Sequence, residues 1–208
     1  VPRVLNMYED YPFWFTFLAE LGFEVVLSDD SSKKIYESGV ESISSESVCY
    51  PAKIVHGHIM NLLGKGVTKI FYPGVVYESK EIQSANNSYN CPIVTSYPEV
   101  IKNNVEQIPE NNIEFWNPFL SLSDRSKLIK RLTEEFENKG FTSAQIVSAA
   151  KAAFAEQDKF RNDVRKKGEE TLDYIKCMTL TKNVDPSVYE RITRGQMNQI
   201  TDYIKAPM

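Results

Sequence analysis

The sequence predicts an α/β protein with a parallel sheet, of the Rossmann-like or flavodoxin-like kind, and a C-terminal helical extension. Three observations lead to this prediction. Short apolar segments alternate with segments of helical spacing, Gly or Pro separates many of them, and the later part of the chain has helical spacing almost throughout. We therefore expect an α/β domain at residues 1–120 and a helical extension at residues 121–208.

The first 27 residues predict a βαβ unit. Residues 3–6 and 23–27 are short apolar runs typical of buried strands. Residues 11–21 between them have helical spacing, with Pro12 suited to a first turn and Gly22 to a left-handed helix end. A strand, a helix and a strand in so short a stretch imply parallel pairing with a right-handed crossover.

The remaining elements follow the same logic. The sequence predicts a polar helix at 31–38, a helix from Pro51, strands at 67–72, 92–95 and 114–120, and helices at 126–138, 143–169 and 187–204. A polar loop at 75–91 is longer than most connections, which indicates a functional role or partial disorder.

Composition limits the classes of function. The 208 residues are 42% hydrophobic and 25% charged, with a net charge of −4, which argues against a general nucleic-acid or membrane-surface binder. No apolar run is long enough for a membrane helix. The chain begins at Val1 without an initiator Met, so we expect a piece of a longer protein. Three cysteines at wide spacings make a poor disulfide framework and fit a reducing, cytoplasmic compartment.

Sequence motifs for several common activities are missing. The chain has no nucleophile elbow, no phosphate-binding Walker loop and no dinucleotide glycine fingerprint. We therefore do not expect this chain to be an ATPase itself.

Several residues are candidates for a site on their own chemistry. Cys49 lies just before a predicted helix, where the helix dipole favours a thiolate, although a small buried residue in a loop is an equal alternative. Cys91 precedes a predicted strand, which places it at the sheet edge opposite the usual ligand edge, away from Cys49. His56 and His58 lie on different faces of one helix and do not form a paired metal site; we expect one to be packed and the other solvated.

Four further residues form a candidate ligand pocket. Tyr8, Lys53 and Tyr77 could line it at the strand ends, although aromatic packing and an exposed lysine are the alternatives. Gly74 could permit close approach of the backbone to a ligand, or it simply makes the turn after Pro73. In this hypothesis the domain binds a small molecule or CoA thioester without a metal, and the two cysteines lie apart.

Three stretches resemble a known family. They are VLNMYEDYPFW with ELGF at residues 4–14 and 20–23, SESVCYPAK with HGH at 45–53 and 56–58, and NCPIVTSYP at 90–98. Together they are similar to a module of 2-hydroxyacyl-CoA dehydratase activase-related proteins, which join an activase-like ATPase region to segments resembling dehydratase subunits. The resemblance extends to about residue 175.

The resemblance implies an iron–sulfur role. By this resemblance, Cys49 and Cys91 would be ligands of a [4Fe–4S] cluster. The cluster would take part in ATP-driven electron transfer to a dehydratase- or reductase-like reaction. The partner would be the activase-like ATPase region or a dehydratase-like subunit, and the chain could form a dimer. A third cysteine is expected where this chain has Gly74, and Gly supplies no ligand. This departure favours an alternative, a non-catalytic assembly domain.

Overall fold

The computed structural model describes residues 1–80, 82 and 84–180, so the helix predicted at 187–204 lies outside the described residues. The described part of the chain divides into two compact units, residues 1–156 and a second unit that begins at residue 157. The helices are α1 (Met7–Glu20), α2 (Lys33–Gly39), α3 (Tyr50–Gly64), α4 (Pro92–Asn104), α5 (Gln107–Glu110), α6 (Arg125–Glu137) and α7 (Ser143–Leu180). The strands are β1 (Lys69–Phe71), β2 (Gly74–Tyr77), β3 (Glu114–Trp116) and β4 (Phe119–Ser121).

The two strand pairs follow one another along a single parallel ladder. β1 pairs with β3 and β2 pairs with β4, and Phe71 opposite Trp116 has the same offset along the chain as Gly74 opposite Phe119. That offset places Pro73 opposite Pro118, and neither proline can donate a hydrogen bond to the ladder. The ladder continues across the interruption, because Gly74 N donates to Pro118 O at 3.0 Å. The predicted strands at 67–72 and 114–120 are therefore confirmed over shorter ranges, with a break at the prolines. The polar loop predicted at 75–91 is wrong at its start, because residues 74–77 form β2.

Helices cover both faces of this ladder. The Phe71 ring lies 4.9 Å from the Trp14 ring of α1 and 6.2 Å from the Phe136 ring of α6. On the other face, α4 approaches β2 at Gly74, where an added Cβ would lie 2.8 Å from the carbonyl oxygen of Thr95. The protein is therefore a mixed helix-and-strand fold with small parallel sheets. A Rossmann-like or flavodoxin-like strand order remains a prediction.

The predicted strands at 3–6 and 23–27 are wrong. Next to these segments, Val1 N donates to Val26 O at 2.8 Å and Ser28 N donates to Val1 O at 3.2 Å, which is the pattern of a parallel pair. The pairing does not continue, because Arg3 N donates to the Ser28 side chain at 2.8 Å and not to backbone. Leu5 then adopts a φ of 52°, which ends the extended run before a strand can form.

The first helix begins earlier than predicted. It starts at Met7 instead of residue 11, so Pro12 lies inside the helix and not in its first turn. Only one turn precedes Pro12, which limits the number of backbone hydrogen bonds that its ring disturbs. The predicted end is confirmed, because Gly22 has a φ of 90° and Phe23 N donates to Leu18 O at 3.1 Å.

The predicted strand at 92–95 is also wrong, because these residues form the first turn of α4. Their β-branched side chains favour a strand by propensity, but Pro92 at the start of the helix and packing of α4 against β2 override it. The helices predicted at 31–38, from Pro51 and at 126–138 are confirmed with small shifts in their ends. The helix predicted at 143–169 is confirmed at its start, but it continues to Leu180, 11 residues beyond the predicted end. Within the described residues, no helix has the length and apolar character needed to span a membrane.

Candidate functional site

Cys91 lies at the carboxyl end of β2. Asn90 N donates to Val76 O at 3.0 Å, and Glu78 N donates to Ser88 O at 2.8 Å, so the segment before Cys91 runs beside the end of this strand. Cys91 itself is the residue before α4 and is exposed. The expectation that Cys91 lies at the opposite sheet edge is therefore wrong, and the reason is that a helix, not a strand, follows it.

Cys49 occupies the equivalent position before α3. It is exposed, with Pro51 in the first turn of the helix. Because α3 leads into β1 and α4 leads through α5 into β3, and β1 and β3 are parallel, both helices begin at the carboxyl edge of the strands. The two thiols therefore belong to one edge, the edge where α/β proteins usually bind ligands. We call this region the thiol edge and define it by Cys49, Cys91 and the helix starts that follow them.

A polar network fixes the start of α4 to the strand. The Asn90 side chain donates to Glu78 Oε1 at 2.6 Å and to Val75 O at 3.1 Å, and Thr95 Oγ1 donates to Val75 O at 3.0 Å. Asn6, at the start of α1, also donates to Glu78 Oε1 at 3.3 Å. These contacts hold the residue before α4 in place although its own side chain faces solvent.

Position 74 is a packing site and not a turn. Gly74 is the first residue of β2, and a Cβ there would lie 2.8 Å from Thr95 O and 3.0 Å from the Phe119 ring. Both distances are shorter than an ordinary carbon contact, and the first involves backbone that cannot swing aside. The interpretation of Gly74 as a simple turn residue is therefore wrong: the absence of a side chain lets α4 pack directly on the strand.

The described residues do not supply a full set of ligands for a [4Fe–4S] cluster. Such a cluster is held by about four thiolates, or three with an exchangeable site, and the thiol edge provides two. Packing closes position 74, and among the described residues no group of three or more His, Cys, Asp or Glu is arranged to hold a metal ion. Cys177 lies outside the described side chains.

Both histidines on α3 are buried, so the expectation that one is solvated is wrong. His58 lies between Ser28 Oγ at 2.7 Å and Ser31 Oγ at 2.9 Å. His56 lies between Ser42 Oγ at 2.8 Å and the Tyr97 hydroxyl at 3.2 Å. Burial lowers the pKa of each imidazole to about 4, so both are neutral near pH 7.

Gly57 separates the two histidines for a steric reason. A Cβ on Gly57 would lie 1.8 Å from Ile35 O of α2, and a Cβ on Gly39 would lie 2.2 Å from Gly57 N. The backbones of α2 and α3 therefore touch at this point. The residues on either side of Gly57 are consequently buried against neighbouring segments, which explains why two histidines of one helix both find hydroxyl partners.

Two buried tyrosines interact electrostatically, and one of them, Tyr97, also interacts with Cys49. Burial, followed by the charge of Cys49, raises the pKa of Tyr97 to about 12. Burial, followed by the charge of Tyr97, raises the pKa of Tyr72 above its ordinary value. The Tyr72 side chain is fully buried, and its hydroxyl has no hydrogen-bond partner within the described part of the chain. No pattern in the sequence points to Tyr72.

The other candidate ligand-binding residues occupy separate environments. Lys53 Nζ donates to Glu46 O at 2.6 Å, and the Tyr8 ring lies 5.7 Å from the Arg3 guanidinium. Tyr77 forms an exposed pair with Tyr89, with ring centroids 4.4 Å apart and hydroxyls at 2.8 Å. A ligand-binding role for Tyr8, Lys53, Gly74 and Tyr77 remains a prediction.

The described clefts do not coincide with these residues. One cleft of about 420 Å³ lies beside the segment that precedes β1, lined among others by Phe23, Lys65 and Trp116. A second, of about 260 Å³, lies between the ends of the strands and α6, lined among others by Phe115 and Lys139. None of the candidate cysteine, tyrosine, lysine or glycine positions lines either cleft.

Comparison with known proteins supplies a family but no characterised relative. No curated protein and no solved structure matches the chain. A family model described as a CoA enzyme activase uncharacterised domain matches residues 1–188, which include the thiol edge and every element from α1 to α7. This confirms the resemblance of the sequence to activase-related proteins. The chain therefore belongs to the CoA enzyme activase uncharacterised domain family.

Proposed function

We propose that this domain is a module of an activase-related protein that offers Cys49 and Cys91 as two thiol ligands toward a shared iron–sulfur centre. The observation that carries this proposal is the matching position of the two cysteines, each exposed and each immediately before a helix at the same edge. Because two thiolates are too few for a cluster, the other ligands would come from the activase-like ATPase region or a dehydratase-like subunit.

The contribution of this chain is to hold the two thiols in position. When bound, the iron–sulfur centre would supply one-electron transfer, in keeping with the ATP-driven reduction of a dehydratase- or reductase-like enzyme. The chain provides the start of α4, held by Asn90 and Thr95, and two helix N-termini whose dipoles favour a negatively charged group.

Iron and sulfide analysis after anaerobic purification tests this function. We expect the chain alone to bind little iron, and its complex with the activase-like or dehydratase-like partner to bind iron and sulfide. Cys49→Ala and Cys91→Ala should each remove the iron, whereas Cys177→Ala, outside the matched motifs, should retain it. Reconstituted complexes without iron, or iron that survives both substitutions at the thiol edge, would contradict the proposal.

A specific observation favours a second candidate, an assembly module without a metal. The packing of Thr95 and Phe119 at Gly74 closes the position of the third cysteine that the family resemblance leads us to expect. An assembly module would form the same complex with its partner when both Cys49 and Cys91 are replaced by Ala. Measurement of complex formation alongside iron content therefore separates the two functions. Dimerisation remains a prediction under either of them.

A further inference from the structure

His56 connects the two helices that begin at the thiol edge. It belongs to α3, it is fully buried, and its Nε2 lies 3.2 Å from the hydroxyl of Tyr97, which belongs to α4. The imidazole and phenol rings meet edge to face, with centroids 5.6 Å apart and an interplanar angle of 85°. This buried contact is a direct polar link between the helix after Cys49 and the helix after Cys91.

The hydroxyl of Ser42 indicates which ring nitrogen of His56 carries the proton. Ser42 Oγ donates its single proton to Gly39 O at 3.0 Å, so it accepts a hydrogen bond from His56 Nδ1 at 2.8 Å. His56 therefore carries its proton on Nδ1 and accepts the Tyr97 hydroxyl proton at Nε2. With this assignment, the chain Ser42–His56–Tyr97 is fully paired and neutral.

The His56–Tyr97 hydrogen bond lies at a similar distance along the chain from each of the two cysteines. His56 is seven residues after Cys49, the residue that precedes α3, so it lies close to two helical turns from the start of that helix. Tyr97 is six residues after Cys91, a similar distance along α4. Since the two helices run in the same direction, the hydrogen bond fixes how far one helix start is displaced along the other.

Proximity of the phenol to the thiol edge supports a role beyond core packing. The charge of Cys49 contributes to the raised pKa of Tyr97, so Tyr97 lies within electrostatic range of that cysteine. Tyr72 provides a contrast, because its hydroxyl is buried and has no hydrogen-bond partner among the described residues. The Tyr97 hydroxyl therefore joins α3 to α4, whereas the Tyr72 hydroxyl does not.

We propose that His56 is a positioning residue that acts through Tyr97 to set the separation of the Cys49 and Cys91 thiols. The inference rests on the proposed function in one respect, that the two thiols act as a pair. It adds the residues that keep the pair at a defined spacing. The two exposed cysteines do not have to contact each other for this, because the buried hydrogen bond aligns the helices from which they start.

Bridging of the two thiols by a short reagent tests this positioning. The full chain carries Cys177→Ala so that two cysteines remain, and the reagent is a bis-maleimide with a spacer of roughly 10 Å, the spacing of packed helices. Tyr97→Phe removes only the hydroxyl, and Tyr72→Phe is the matched control. His56→Phe removes both hydrogen bonds, and His56→Gln retains a donor and an acceptor. Thermal unfolding confirms that each variant is folded.

We expect the parent background and Tyr72→Phe to bridge equally. Tyr97→Phe should reduce the rate of bridging roughly two- to tenfold, the range that corresponds to loss of one neutral hydrogen bond. His56→Phe should behave in the same way, and His56→Gln should recover part of the rate. The inference is overturned if folded Tyr97→Phe bridges at the parent rate, or if the parent background does not bridge at all.

The bridging assay also separates this inference from the proposed function. Bridging uses the thiols alone and needs neither iron nor a partner. If bridging responds to Tyr97→Phe while the complex binds no iron, the positioning role stands and the iron–sulfur function fails. If the complex binds iron while Tyr97→Phe leaves the rate of bridging unchanged, the positioning role fails and the function stands.

Discussion

At the scale of single residues, Gly74 determines how closely a helix approaches a strand. The carbonyl of Thr95 and the ring of Phe119 occupy the space that a side chain at position 74 would need. A cysteine here, as the family resemblance leads one to expect, would therefore require α4 to move away from β2. A cysteine at position 74 would therefore add a thiol only together with a change in the packing of α4 on β2.

We predict that Gly74→Ala and Gly74→Cys each lower the free energy of unfolding by about 1–3 kcal/mol, the usual cost of overpacking. The reason is the Cβ that both share, so the two variants should be similarly destabilised. Urea unfolding with iron analysis checks this. A Gly74→Cys variant that is as stable as the parent and gains iron would show that the position is open after all.

Tyr72 allows the opposite kind of test, because its buried hydroxyl has no partner among the described residues. Removing an unsatisfied buried polar group relieves a cost, so Tyr72→Phe should leave stability unchanged or raise it by up to about 1 kcal/mol. Tyr97→Phe should instead cost about 1 kcal/mol, since it breaks the bond to His56. Chemical denaturation of both variants compares them; equal losses would contradict the assigned hydrogen bonds.

At the scale of elements, the contact between α2 and α3 depends on two glycines. Gly39 and Gly57 bring the two backbones together, because a Cβ at either position would overlap the other helix. Gly64, in the same helix as Gly57, has open space where a Cβ would project, and its φ is not positive. Gly57 and Gly64 therefore form a matched pair for substitution, one closed and one open.

We predict that Gly57→Ala lowers the free energy of unfolding by about 3 kcal/mol or more, because backbone cannot give way as a side chain can. Gly64→Ala should raise it by up to about 1 kcal/mol, the difference in helix propensity between the two residues. Urea unfolding of the two variants measures both effects. Similar effects of the two substitutions would mean that the helices do not touch at Gly57.

Some elements could be predicted from the sequence and others could not. The helix at 50–64 was predictable because its apolar residues have helical spacing and Pro51 lies in its first turn. Residues 92–95 were not, because Ile93, Val94 and Thr95 favour a strand locally, and Pro92 together with packing against Gly74 selects the helix. That one error placed Cys91 at the opposite sheet edge.

At the scale of the whole molecule, two neutral imidazoles lie in the interior of residues 1–156. Burial lowers the pKa of His56 and His58 to about 4, and for His58 the Arg3 charge lowers it further while the Asp29 charge opposes this. In the unfolded chain both groups have an ordinary pKa of about 6.5. The unfolded state therefore binds more protons than the folded state between about pH 4 and pH 6.5.

We predict that stability is highest above about pH 6.5 and falls as the pH is lowered toward 4. Each unit of pKa difference corresponds to about 1.4 kcal/mol, so the two histidines together contribute several kcal/mol across this window. Urea midpoints at pH 7, 5.5 and 4.5 measure the slope, and His58→Gln should make it shallower. A slope that is the same in the variant and in the parent would assign the effect to other groups.

The thiol edge was only partly predictable at this scale. The motifs identified Cys49 and Cys91, but no local signal shows that both precede helices pointing the same way, because this depends on β1 and β3 being parallel. The link through His56 and Tyr97 joins residues 41 positions apart and is equally invisible to local patterns. Both features therefore depend on contacts between distant parts of the chain, which the periodicity of the sequence does not specify.

The distance between Cys49 and Cys91 tests the central claim most directly. Spin labels on these two residues, in a Cys177→Ala background, give this distance by pulsed electron paramagnetic resonance. Two neighbouring helix starts predict a separation of roughly 20 Å or less, because packed helix axes lie about 10 Å apart and the labels add to this. A separation of roughly 30 Å or more, the length of the strand from Lys69 to Tyr77 at about 3.3 Å per residue, would place the cysteines at opposite edges and contradict the account.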